Sequence, residues 1–117
     1  MVPVYAATNI NISIINHKGI DNNFQLIDEL HSVELFEPDK DLRLEMNNGI
    51  VVVIKLKKDG DSAFFLMGAV YRDQETLISE FSKDPYHLKL NTPYTVHIDD
   101  ENKQTIDVTI TALPLKK

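Results

Sequence analysis

Within residues 9–16 apolar and polar positions alternate: Ile10, Ile12 and Ile14 are apolar, while Asn9, Asn11 and Ser13 between them are polar. A period of two places one set on a buried face and the other on an open one, as in a half-buried strand. The same period returns in Leu42, Leu44 and Met46 against Arg43 and Glu45, and in Ile106, Val108 and Ile110 within residues 105–112. Turn-forming residues separate these runs: His17-Lys18-Gly19 with Asp21-Asn22-Asn23, Pro38-Asp39-Lys40, Asn47-Asn48-Gly49, Asp59-Gly60-Asp61 and Asn91-Thr92-Pro93. The pattern predicts a mainly β chain, an antiparallel β-sandwich built from hairpins.

Two segments are ambiguous. In residues 24–36, Phe24, Ile27 and Leu30 or His31 fit a helical stripe, whereas Val33 and Leu35 alternate with Ser32 and Glu34, which favours a strand for the second half. Residues 73–83 are the best candidate for one short helix, with Asp73 as N-cap, Glu75 in the first turn, Leu77, Ile78 and Phe81 on one side and Pro85 beyond the end; a short strand is the alternative.

Three-residue turns then fix registers. With a loop at 47–49, Leu42 opposes Ile54, Leu44 opposes Val52 and Met46 opposes Ile50, and all six face the core. With a loop at 59–61, Leu56 opposes Phe64, Ile54 opposes Leu66 and Ile50 opposes Val70. With a loop at 91–93, His87 opposes His97, and with a loop at 101–103, His97 opposes Asp107.

The 117 residues suit one domain: an arm or leader remnant at 1–8, a β domain at 9–113 and a tail at 114–117. The longest apolar runs, 50–54 and 63–71, fall far short of the ~20 residues of a spanning helix, so no membrane span is expected. Twelve basic against eighteen acidic residues give a net charge of −6, which opposes binding to nucleic acid, where cations must replace released counterions. The absence of cysteine removes a disulfide framework, a thiolate metal site and a cysteine nucleophile. Val4-Tyr5-Ala6-Ala7 fits the small-residue rule of a secretory cleavage site after Ala6, pointing to a periplasmic or secreted protein, with a cytoplasmic one as the alternative. The outline resembles the immunoglobulin-like sandwiches, without the cysteine and tryptophan signature of true immunoglobulin domains.

Two constellations carry functional expectations. In residues 50–71 the even positions already supply a core face, yet Val51, Val53, Phe65, Met67, Ala69 and Tyr71 are apolar too. Either the rest of the chain covers this second face or it is an interaction face for a protein partner or a homodimer. The second is the row His87, His97 and Asp107, with Asp99 nearby. Imidazoles ~5 Å apart across strands could share a metal; unoccupied and both protonated, they would repel and weaken the hairpin as pH falls, with Asp107 opposing that trend.

No glycine-rich phosphate loop, nucleophile elbow or zinc-protease helix is present, and of the serines only Ser32 lies near a histidine in sequence, beside His31. The sequence therefore points to a non-enzymatic module, without cofactor, acting through protein contacts. A metal-binding or pH-responsive protein, and a small hydrolase or ligand-binding barrel, are the alternatives.

Overall fold

The fold comes from a computed structural model, which describes residues 8–18, 25–37, 40–47, 49–59, 63–73, 76–100 and 104–114. Most of the turn residues named above, the cleavage pattern at 4–7 and the last three residues lie outside them.

Among the described residues eight antiparallel strands form two four-stranded sheets: β1 (Thr8–Lys18), β2 (Gln25–Leu35), β3 (Leu42–Glu45), β4 (Ile50–Asp59), β5 (Ala63–Arg72), β6 (Thr76–Lys89), β7 (Tyr94–Asp100) and β8 (Gln104–Pro114). Sheet A runs β2-β1-β8-β7 and sheet B runs β3-β4-β5-β6. Each strand neighbours the next in sequence, either within a sheet or across one of the crossings β2→β3 and β6→β7, and β8 returns to pair with β1. The chain is thus a closed meander flattened into a sandwich, and its order is not the Greek key of immunoglobulin domains.

Even-numbered side chains of the central strands fill the space between the sheets. Ile10, Ile12 and Ile14 of β1, Val52 and Ile54 of β4, Leu66 and Val70 of β5, and Ile106, Val108 and Ile110 of β8 are all buried. Each such side chain contributes roughly 1.5–3 kcal/mol by leaving water. Both crossings are held by aromatic pairs. Phe36, just after β2, meets Phe64 edge-on at 4.8 Å, and Tyr86 of β6 stacks on Tyr94 of β7 at 3.7 Å. Asp28 adds a polar tie at the β2→β3 side, where its carboxylate accepts the Asn47 backbone N–H at 2.9 Å.

The first predicted register holds: Leu42 pairs with Ile54 and Leu44 with Val52. In the second hairpin Asp59 pairs with Ala63, which moves the loop on by one residue and offsets every pair by two, so that Leu56 faces Leu66 and Ile54 faces Gly68. An offset of two returns each side chain to the same face, so the predicted core face stands.

The ambiguous stretch at 24–36 takes the strand reading over Gln25–Leu35, and the helix expected at 73–83 is replaced from Thr76 onward by β6, whose backbone pairs with β5; residues 24, 74 and 75 lie outside the described residues. The register between β5 and β6 slips twice, once around residues 82–85, where Pro85 has no N–H to give a ladder. These slips place Ile78 against the core and bury Phe81 while Leu77 stays exposed, so side chains spaced like a helical stripe serve an irregular strand. The third predicted hairpin is also corrected. Asn91 takes a positive φ of 62° and the chain does reverse there, but it leaves sheet B for sheet A, so β6 and β7 are not ladder partners.

Gly68 is required by this packing. The Phe81 ring lies over it, and a Cβ at position 68 would come within 2.0 Å of the ring. Gly68→Ala should therefore destabilise the fold by about 1–3 kcal/mol through overpacking. Denaturant titration of the single and double variants tests this: the cost of Gly68→Ala should shrink in a Phe81→Ala background, and equal costs in both would refute the contact.

Candidate functional site

Parity gives the two outer faces different chemistry. On sheet A the odd positions of β1 and β8 are mostly Asn, Ser, Thr and Asp, and they link across strands: Thr95 and Thr109 share a hydrogen bond of 2.9 Å. On sheet B the odd positions are the apolar set foreseen from sequence. Val51 opposes Tyr71, Val53 opposes Ala69, and Met67 and Phe65 oppose Lys55 and Lys57. All five predicted interaction residues thus share the outer face of sheet B.

They are covered unequally. Val51 is buried, Val53 and Tyr71 are half-buried, and Phe65 and Met67 remain 39% and 40% exposed. Phe65 packs against His87 with ring centroids 5.8 Å apart. Together with Lys55, Leu56, Lys57 and Pro85, Phe65 and Met67 line a shallow groove of about 380 Å³. A second hollow of about 190 Å³ adjoins it through Lys55 and Met67 and reaches Tyr71 and Glu80. The surface therefore offers apolar side chains beside two ammonium groups on a chain whose net charge is −6.

The histidine row does not assemble as expected. His87 pairs with Phe65 on sheet B, and His97 pairs with Asp107 on sheet A, so the two imidazoles lie on opposite outer faces of the sandwich. The His97–Asp107 pairing is as predicted. His97 Nδ1 meets Asp107 Oδ1 at 2.6 Å and Nε2 meets Asp99 Oδ1 at 3.1 Å, so both ring nitrogens are engaged by carboxylates in opposite directions. Among the described residues no group of three or more His, Asp or Glu is arranged to hold a metal.

Sequence reasoning missed a second polar line. Ser13 and His31 oppose each other across β1 and β2, with Ser13 Oγ at 2.9 Å from His31 Nδ1 and Glu29 Oε2 at 3.7 Å from His31 Nε2. Only the β1–β2 register reveals it, because the turn at 19–24 leaves the pairing offset open. A hydroxyl, an imidazole and a carboxylate in this order form a nucleophile–base series, but they are exposed on an open sheet face, where water competes for every hydrogen bond.

The class that fold and surface define is a two-sheet antiparallel β-sandwich of meander order with an apolar, lysine-flanked outer face. Compared with known protein families, curated proteins and solved structures, the chain matches none of them. Among the described residues no helix is long and apolar enough to cross a membrane.

The carboxylates around His97 reverse the pH trend that two facing histidines would give. The hydrogen bond to Asp107 above all, helped by the charges of Asp107 and Asp99 and the hydrogen bond to Asp99, raises the His97 pKa above its ordinary value and outweighs the opposing effect of burial. A pKa raised on folding contributes stability that is fully present below the unfolded value near ~6.5 and is lost as pH rises through the folded value. Relative to His97→Gln, the native chain should thus gain on the order of 1–3 °C in Tm between pH 8.0 and pH 6.0, modest because the pair is largely exposed. Thermal melts of both proteins at the two pH values check this, and the reverse order would refute it.

Proposed function

We propose that this chain is a non-enzymatic binding module that engages a protein partner through the outer face of sheet B. The observation that carries this reading is the pairing of exposed Phe65 and Met67 with Lys55 and Lys57 along one groove. Aromatic and methionine side chains are enriched at interfaces, where each buries a large area and methionine adapts its shape to the partner. The lysines select for acid. Lys55 is 3.9 Å from Asp41, a long and exposed pair that leaves its charge open to a partner, and Lys57 stands directly across from Phe65.

The occupant that fits is an extended segment of a partner protein carrying one apolar side chain between carboxylates. Its apolar group covers Phe65 and Met67, its acids meet the lysines, and the like charge of an acidic surface beyond the groove discourages other docking modes. An exported or periplasmic setting belongs to the same proposal, and its support is the residue pattern at 4–7.

Panning a displayed peptide library against the full chain should enrich sequences with an aliphatic or aromatic residue flanked by Asp or Glu. Titration of the selected peptide should show about tenfold or greater weakening in Phe65→Ala and in Lys57→Glu, with thermal melts confirming that both variants fold. Peptides that bind both variants as tightly as the native chain would sink the reading, as would a library that yields no acidic consensus.

A further inference from the structure

We infer that β2 is a self-recognition edge, through which two copies of this chain pair antiparallel about Leu30 to make one continuous eight-stranded sheet. The inference is independent of the groove on sheet B, since β2 lies at the rim of sheet A.

The four sheet edges differ in how they resist pairing. β3 has only four residues, β6 is broken by the irregularity around Pro85, and β7 is seven residues long and carries the His97–Asp99 contact. Short strands, bulges and charge are the usual means of blunting an edge. β2 is eleven residues long, contains no proline, and among the described residues pairs only with β1. Its one irregularity is a bulge near its start, where the ladder with β1 passes from Asp28 to Leu26 and leaves Ile27 unpaired, so the regular edge begins at Asp28. Among the described residues Val33, Leu26 and Leu35 are the most exposed large apolar side chains, at 64%, 53% and 50%, and Ile27 is 39% exposed.

The sequence of β2 is complementary to itself in one register. In an antiparallel ladder, residues whose backbone groups point outward must oppose residues of the same kind, so the two copies can shift only in steps that keep odd opposite odd. With Leu30 on the two-fold axis, Glu29 faces His31 and Asp28 faces Ser32 of the second copy, each contact occurring twice, and Ile27 at the bulge falls beside Val33. The neighbouring registers are worse. Centring on His31 sets His31 against His31 and Asp28 against Glu34, and centring on Glu29 sets Glu29 against Glu29. Like charges directly opposed are destabilising, whereas opposite charges and paired β-branched side chains stabilise a ladder. A self-complementary patch is what a closed two-fold dimer requires, and it commits the edge to a second copy in preference to an unrelated strand.

The absence of native cysteine makes the register directly testable. In Leu30→Cys the two thiols meet on the axis, at a Cα separation of ~5 Å that suits a disulfide. In Val33→Cys the two thiols lie about 20 Å apart in the same dimer. Under mild oxidation Leu30→Cys should convert to a covalent dimer while Val33→Cys stays uncrosslinked, and the double variant Ile27→Cys with Val33→Cys should crosslink. Sedimentation of the native chain up to ~1 mM should show a dimer that His31→Glu weakens by about tenfold or more and that Glu29→His combined with His31→Glu restores. The restoring variant separates lost pairing from lost folding. A native chain that stays monomeric throughout, equal crosslinking of the two single cysteine variants, or a swap that fails to restore association would each overturn the proposal.

Discussion

The pairing of β1 with β8 is the contact on which the rest of the sandwich depends. Sheet B is a local meander, since β3 to β6 follow one another, but sheet A consists of two hairpins from opposite ends of the chain. Only the ladder from Thr8–Lys18 to Gln104–Pro114 joins them, setting Ile12 opposite Ile110 and Ile14 opposite Val108. These central aliphatics form one wall of the core, so Val52, Ile54, Leu66 and Val70 of sheet B have nothing continuous to pack against until the two ends of the chain meet. Contacts so distant in sequence cost loop-closure entropy before they return any burial, which places this fold among the slow, cooperative ones.

Once that ladder is set, side-chain parity distributes the chemistry. Both sheets turn their even positions inward, so the character of each outer face is decided by what the odd positions hold. In β1 and β8 these are mainly short polar residues that bond across strands, as in Thr95–Thr109 and Ser13–His31, and water suits them. In β4 and β5 they include valine, methionine, phenylalanine and tyrosine beside Lys55 and Lys57, and burial reaches Val51 but leaves Phe65 and Met67 open. Two sheets of the same architecture thus carry outer faces of different polarity.

This parity was legible in the sequence because a two-residue period survives errors of even size. The Asp59–Ala63 loop lies one residue further along than its turn residues suggest, yet Val53, Phe65 and Met67 still face outward together. What was not legible is whether a reversal stays within a sheet. Asn91-Thr92-Pro93 marks a change of direction, but the stacking of Tyr86 on Tyr94 carries the chain from one sheet to the other, and no local signal encodes that. His87 and His97 were separated by that crossing, while His97 and Asp107 came together because both strands of their hairpin stay in sheet A. The spacing of Leu77, Ile78 and Phe81 was equally equivocal, since slips in the β5–β6 register reproduce a helical spacing within a strand. The Gly68 gap that admits Phe81 is a tertiary feature with no neighbour in sequence.

β2 shows where the logic of burial alone stops explaining the chain. Its inward positions Asp28, Ser32 and Glu34 are polar around the core-packed Leu30, and of its outward positions Val33 and Leu35 are apolar while Glu29 and His31 are polar. The inward half of that pattern is accommodated locally. At the rim of the sandwich Ser32 donates to Glu34 Oε1 at 2.8 Å along the same strand, and Asp28 accepts the Asn47 N–H from beyond β3, so these groups find partners at the rim instead of burdening the core. The outward half leaves valine and leucine on the solvent side of an edge strand. Reversing the parity of β2 would bury those two side chains only by exposing Leu30 and burying Glu29 and His31, so the strand compromises between its two faces. What a compromise of this kind leaves in water is a long, proline-free edge with valine and leucine beside it, the combination that other edges of the sandwich avoid by shortness, bulging or charge.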